Sequence, residues 1–233
     1  MNPLYQKTIR LRAEHVDFRR KLRLSTLFTL FQECCIAHTE ELGFGREKTL
    51  DKGLLWVILS ERFLIHRMPE YDEAITLECY QGPMLHYFFP RHLVVKDEKG
   101  NELLRGLAVW ALIDAKKRDL IDPKAKGIVI EGKEYGGELA PVMRLPLPPE
   151  NKKLTWRSTY SLTDINGHLN NAGYITLAMD EFDPNQRKRE IQEVALTFKK
   201  EIPFGESFEV TMGSDGTHCG FSSANFSMLF TFR

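Results

Sequence analysis

The chain has 233 residues, 42% of them hydrophobic, enough to bury a substantial core as one large domain or two small ones. Lys plus Arg and Asp plus Glu each total 32, so the formal charge is zero and the chain lacks the basic field of a nucleic-acid binder. No apolar run approaches the roughly 20 residues that span a bilayer, and MNPLYQKTIRLRAEH has no signal-peptide core, so the reading is soluble and cytoplasmic with no membrane insertion.

Residues 5–16 alternate weakly and read as a strand. Ser25 is a candidate N-cap for TLFTLFQECCIAHTEEL, where Leu27, Phe28, Leu30, Phe31, Cys34, Cys35, Ala37, His38 and Leu42 recur at helical spacing and Gly43 ends the run. Such a wide, aromatic-rich face fits a helix covered by a sheet on more than one side. Strand-like runs follow, LLWVILSERFLIHR, EAITLECYQG and HYFFPRHLVVKDEKGNELLRGLAVWALIDAKKRDLI, with turn signals at MPEYDE and, as a hairpin candidate, DEKGNE. One long helix followed by consecutive strands is an α+β pattern.

Residues 131–156 change character: paired glycines with Pro141, Pro146, Pro148 and Pro149 mark a linker. Beyond it the first theme recurs. TWRSTYSLTD reads as a strand, an apolar helix spans 170–182 with Tyr174, Leu177 and Ala178 inward, and EVALTFKKEIPFGESFEVTM echoes ERFLIHRMPEYDEAITLEC. The helix approaches echo too, HVDFRRKLRLS against LTDINGHLNNA, with Asp17 standing where Asp164 stands, so an internal duplication is the economical explanation.

The polar cluster TDINGHLNNAGY carries the chemistry. Asp164, Asn166 and His168 are spaced by two, which in an extended segment points their side chains to one side. Asn170 or Asn171 can cap the helix that follows. Taken singly, each of these residues is equally at home in a turn or cap. A histidine just ahead of a helix start is not explained that way, and a helix N-terminus offers amide donors and positive partial charge to an oxyanion.

The pattern D-x-N-x-H-x-N-N-x-x-Y resembles the signature of hotdog-fold thioesterases, and its extended form that of the acyl-acyl-carrier-protein (acyl-ACP) thioesterases of plants and bacteria. GLLWVILSERFLIHRMPEYDEAITLECYQG and FFPRHLVVKDEKGNELLRGLAVWALID look like that family's first repeat, and FKKEIPFGES resembles the segment with its catalytic glutamate; the resemblance runs over 5–212. It implies an α+β fold of two tandem hotdog repeats, each a long central helix wrapped by an antiparallel β-sheet. The N-terminal repeat would occupy 1–130, the Pro/Gly-rich linker 131–155 and the catalytic C-terminal repeat 156–233. It implies hydrolysis of fatty acyl-ACP to free fatty acid and holo-ACP, ending fatty acid elongation, with acyl carrier protein as partner and neither cofactor nor metal. Whether the chain works as a homodimer is left open.

By the same resemblance Asn166 and His168 stand at the catalytic Asn and His, Asp164 at the aspartate that orients them, and Glu201 at the catalytic glutamate. The plant enzymes follow that glutamate with a cysteine; here the residue is Ile202, which cannot act as a nucleophile. General-base hydrolysis remains, with Glu201, or Glu201 with His168, activating water and Asn166 holding water or substrate. One tension stays: strict alternation puts Glu201 on the face opposite Val194, Leu196 and Phe198 unless a bulge near the lysines intervenes. Rival readings are an acyl-CoA thioesterase, a non-catalytic acyl-binding hotdog protein and a hotdog dehydratase.

Other candidates read as structural. Cys34, Cys35, Cys79 and Cys219 show neither disulfide density nor C-x-x-C spacing and are expected as buried free thiols. His38 beside Glu40 and Glu41 fits no metal motif, and His66, His86 and His92 have no matching carboxylates. Residues 19–23, RRKLR, are a candidate docking patch for an acidic carrier, with a solvated charge run as the default. Trp56, Tyr87, Phe88 and Phe89 are candidates to line an acyl channel, though as core they need no function.

Overall fold

A computed structural model describes residues 3–233. In the first half, β1 (Leu4–Arg10) leads to α1 (Leu24–Glu41), then to β2 (Leu54–Ile65), β3 (Ala74–Gln81), β4 (Phe88–Lys96) and β5 (Glu102–Asp114). The second half has β6 (Glu150–Arg157), α2 (Asn171–Glu181), a short α3 (Pro184–Lys188), then β7 (Ile191–Phe198), β8 (Ser207–Ser214), β9 (His218–Ser222) and β10 (Phe226–Phe232). No helix among the described residues is long and apolar enough to cross a membrane.

The strands form one antiparallel sheet in the order β1-β3-β4-β5-β2-β7-β10-β9-β8-β6. The second five are the first five reversed, β6 for β1, β7 for β2 and so on, as two repeats related by an approximate twofold would give. The seam is β2 against β7, in register from Ser60↔Thr197 to Leu64↔Glu193. Arg62 donates across it from Nε to Glu193 Oε1 at 2.7 Å. The expected α+β architecture and the duplication are both present, with α1 and α2 packed against each other.

Helix α1 buries Leu24, Leu27, Phe28, Phe31, Cys34, Cys35 and His38, one continuous stripe at three- and four-residue steps. Its start differs from the expectation by two residues: Arg23, not Ser25, is the N-cap, in extended conformation and without a side-chain cap bond. Helix α2 starts as its sequence indicates, with Asn170 Oδ1 accepting the Ala172 amide at 2.8 Å. The four cysteines are buried free thiols. His92 is buried, stacked on Tyr80, and desolvation pushes it down to about 4, so it is a neutral core group near pH 7.

The irregular stretch is shorter than its composition suggests. β6 begins at Glu150, inside the segment read as linker, and pairs with β8 as the sheet's edge. Only Trp156 of that strand is buried, which is why alternation was hard to see. The last segment folds as β9 and β10, and Phe226, Met228, Phe230 and Phe232 complete the core of the second half.

Phe63 anchors the core of the first half. It is fully buried, with ring centroids 4.6 Å from Phe28 and 5.6 Å from Phe31, and it sits so close over Gly106 that a Cβ there would lie 2.6 Å from the ring. Phe63→Ala is expected to cost about 3–5 kcal/mol and Gly106→Ala about 1–3 kcal/mol in urea unfolding. Pairing Gly106→Ala with Phe63→Leu should recover part of the second loss, and simple additivity would contradict the contact.

Two residues before Phe63, Glu61 is 1% exposed, opposite Leu196 across the seam, and its Oε2 has no partner among the described residues. Burial pushes its carboxyl up to about 8. An ordinary acid ionises near pH 4.5, so between about pH 4.5 and 8 only the folded chain holds this proton. Each pH unit in that window therefore removes about 1.4 kcal/mol of stability. Glu61→Gln should gain on the native chain in urea midpoint as pH rises through that window and hold a constant lead above it. Midpoints that run parallel at all pH would contradict it.

Candidate active site

The segment ahead of α2 is a tight turn shaped by one carboxylate. Asp164 Oδ1 accepts the backbone amides of Asn166 at 2.8 Å and His168 at 3.0 Å, while the Asp164 amide donates to the His168 carbonyl at 2.8 Å. Gly167 sits inside the turn at φ 78°, where a side chain would be strained. Asp164 thus orients Asn166 and His168 through their main chain rather than by contact with their side chains. Ile165 and Asn166 project from the tip.

A second segment is laid against this turn. The Leu169 amide donates to the Ile202 carbonyl at 2.8 Å and the Phe204 amide to the Gly167 carbonyl at 2.9 Å. Glu201 is thereby brought beside His168, Oε1 to Nδ1 being 3.7 Å, with both side chains partly open to solvent. The alternation problem is resolved as the sequence required: β7 ends at Phe198, and the amides of Lys199 and Lys200 both donate to the Asn225 carbonyl, at 2.7 and 3.1 Å. That irregularity breaks the strand's phase ahead of Glu201. Ile202 is fully buried, so an aliphatic side chain in the core occupies the cysteine position.

The other Glu201 oxygen, Oε2, is met by the Arg118 guanidinium. Arg118 lies in the first repeat, in the turn after β5, at φ 62° with its amide on the Asp114 carbonyl. Sequence reading missed it: AKKRDL looks like an ordinary basic turn, and only the fold brings that turn across to the second repeat. Tyr174 lies nearby on α2, and burial, reinforced by the charges of Glu201 and Asp164, keeps its phenol protonated.

Asn166 and Ile165 also close one side of a cavity of about 230 Å³ that belongs mostly to the first repeat. Its wall includes Cys35, Ile36 and Thr39 from α1, with Trp56, Phe89 and Trp110 from the sheet. Among the four candidate residues Asn166 is the one in its lining. Of the four aromatics considered for a channel, Trp56 and Phe89 line this cavity, whereas Tyr87 is 44% exposed and neither it nor Phe88 does. The amide of Ala172 is already taken by Asn170, so the head of α2 has one donor fewer to offer an oxyanion than its sequence suggested.

Comparison with known proteins points to one family. The model of the acyl-ACP thioesterase N-terminal domain matches residues 2–124, and that of the C-terminal domain residues 148–227. Among curated proteins, the chloroplastic acyl-[acyl-carrier-protein] hydrolase FATB3 of Cuphea viscosissima is 25% identical over 204 residues, covering 84% of this chain and 46% of that protein. The chloroplastic oleoyl-acyl carrier protein thioesterase of Coriandrum sativum is 21% identical over 217 residues, covering 84% and 59%. The chain spans about half the length of the curated relatives it matches. Of solved structures, an acyl-ACP thioesterase from Bacteroides thetaiotaomicron superposes with TM-score 0.86 at 22% identity, covering 100% of this chain and 98% of that one. The 12:0-ACP thioesterase from Umbellularia californica does so with 0.83 at 16% identity, covering 100% and 98%. With both domain models in order over most of its length, the chain belongs to the acyl-ACP thioesterase family.

Proposed function

We propose that the chain hydrolyses the thioester of a fatty acyl group borne on acyl carrier protein, releasing the free fatty acid. The observation that carries this reading is the juxtaposition of His168 and Glu201, 3.7 Å apart, with Asn166 at the mouth of a mainly apolar cavity. Family membership supports the same chemistry.

In this mechanism the acyl chain enters the cavity beneath α1 and its thioester carbonyl rests at Asn166. Water is held between the His168 imidazole and the Glu201 carboxylate. That pair takes a proton as the water oxygen bonds to the carbonyl carbon, and the Asn166 amide donates to the developing oxyanion. Collapse of the tetrahedral intermediate breaks the C–S bond, and the proton passes to the departing thiolate. Glu201 is held on one oxygen by Arg118 while the other faces His168 Nδ1 at 3.7 Å, so it holds the water without sweeping through rotamers. Asp164 sets the backbone on which Asn166 and His168 ride.

His168→Ala and Glu201→Gln are each expected to lower kcat for thiol release from acyl-ACP by about 10²–10⁴-fold with an unchanged unfolding midpoint. Full activity in both would place the chemistry on other residues, and no thiol release from the native chain itself would leave a non-catalytic acyl-binding protein. A matched acyl-ACP and acyl-CoA pair tests the carrier, and higher kcat/KM on the CoA ester would reassign it.

Arg118 acts as a positioning residue, so Arg118→Met should lower kcat roughly tenfold to a hundredfold while KM changes little. Arg118→Lys should recover part of that loss. If Arg118→Met raised KM alone, the residue would be holding substrate instead.

A further inference from the structure

The first repeat keeps the architecture of the catalytic turn without its chemistry. Asp17 Oδ1 accepts the amides of Arg19 at 2.8 Å and Lys21 at 3.2 Å, and the Asp17 amide donates to the Lys21 carbonyl at 2.8 Å. The Leu22 amide donates to the Pro69 carbonyl at 2.8 Å, and the Tyr71 amide to the Arg20 carbonyl at 2.7 Å. Bond for bond this is the turn around Asp164. Arg19 stands for Asn166, Lys21 for His168, Arg23 for Asn170, and Met68, just before Pro69, for Glu201. Arg20 holds φ 61° at the place of Gly167, so the turn's shape persists although a non-glycine residue is strained there.

Apart from the aspartate, every one of these positions is cationic or apolar in the first repeat, and the difference faces a cleft. At the N-terminal end of α1 the turn borders a cavity of about 540 Å³ whose opposite wall comes from the second repeat. The first repeat gives it Arg19, Lys21, Arg23 and Arg67, and the second Arg187, Arg189 and Arg233. Against these seven cationic side chains stand three carboxylate side chains, Asp17, Asp180 and Glu190, in a chain whose formal charge is zero. Arg19 is paired with Asp17, Lys21 and Arg233 with Glu190, and Arg67 with Glu73, which lies outside the cleft lining. Arg23 and Arg187 have no carboxylate within 4 Å among the described residues, and Arg187 spends one nitrogen on the carbonyl of Asp180 at 2.7 Å. The floor is apolar, from Leu22, Ile65, Met68, Met179 and Ile191.

We infer that this cleft is a second ligand site, distinct from the catalytic one, that binds a small organic phosphate: a multiply charged phosphoryl group on an apolar or heteroaromatic body. Forked guanidinium groups without carboxylate partners match phosphate oxygens in pairs, and the surplus of positive side chains needs more than one negative charge to balance it. The volume suits a ligand of nucleotide size. The uncapped head of α1, where Leu24 and Ser25 line the cleft, adds to the same field. The cleft and the catalytic cavity meet different ends of α1, at Leu24 and Ser25 and at Cys35 to Glu40, at least about 15 Å apart along the helix at 1.5 Å per residue. Of residues 19–23 all but Arg20 line this cleft and none lines the catalytic cavity, so the basic run faces a site of its own.

Adenosine 3′,5′-bisphosphate is the probe, with adenosine as the uncharged control, titrated calorimetrically into the native chain. Saturable one-to-one binding of the bisphosphate, absent for adenosine, is expected. Arg23→Gln, which removes a guanidinium that holds no other side chain, should weaken it several-fold, and Arg23→Gln with Arg187→Gln roughly tenfold or more. Unfolding midpoints check that both variants fold, and Lys48→Gln with Lys52→Gln, remote from the cleft, should bind as the native chain does. No saturable binding of the bisphosphate, or equal affinity in the double arginine variant, overturns the inference. So does a double variant that loses kcat/KM for acyl-ACP while its bisphosphate affinity is unchanged, which would make the cleft a carrier-docking surface.

Discussion

Everything in the molecule is organised by the antiparallel pairing of β2 with β7. Each half has one main helix and five strands, and β2 or β7 would be an unpaired edge if its half stood alone. The seam removes both edges at once and makes one sheet that curves over α1 and α2. It also fixes which parts of the two repeats meet. The turn before α2 arrives at the C-terminal end of α1, and the turn before α1 arrives at the C-terminal end of α2. Each repeat therefore supplies a polar turn to a cavity that the other repeat helps to wall. The Arg118 to Glu201 contact follows from the same arrangement, because the end of β5 lies next to the partner repeat's approach to its own strand pair.

Most of this was legible in the sequence where burial imposes a period. The stripe from Leu27 to His38 could only be a covered helix, and the echo of two turn-strand-turn units announced the duplication. Legibility failed where the physical signal is weak. The head of α1 was misplaced because Arg23 caps nothing with its side chain, so the nearest conventional cap, Ser25, was chosen in its stead. The edge strand β6 was absorbed into the linker because seven of its eight residues are not buried and so impose no alternation.

The candidate site divides in the same way. Asp164, Asn166 and His168 are close in sequence, so their meeting was foreseeable. Glu201 needed a resemblance to a family, since strand phase alone pointed it away, and two amides sharing the Asn225 carbonyl are a local accident of backbone geometry that no residue type announces. Arg118 was invisible, 83 residues from its partner in the chain, in a turn with two lysines ahead of it and a left-handed backbone that arginine seldom adopts.

The Asx-type turn described for both repeats has an evolutionary meaning. Because an aspartate holds its shape by gripping main-chain amides, the alternate side chains that point away from it are free to change without unmaking the socket. One end of the molecule can be fitted with an acid, an amide and an imidazole while the other is fitted with guanidinium groups. A gene that doubles such a socket gains a spare, and the spare can acquire a new occupant while the original continues its work.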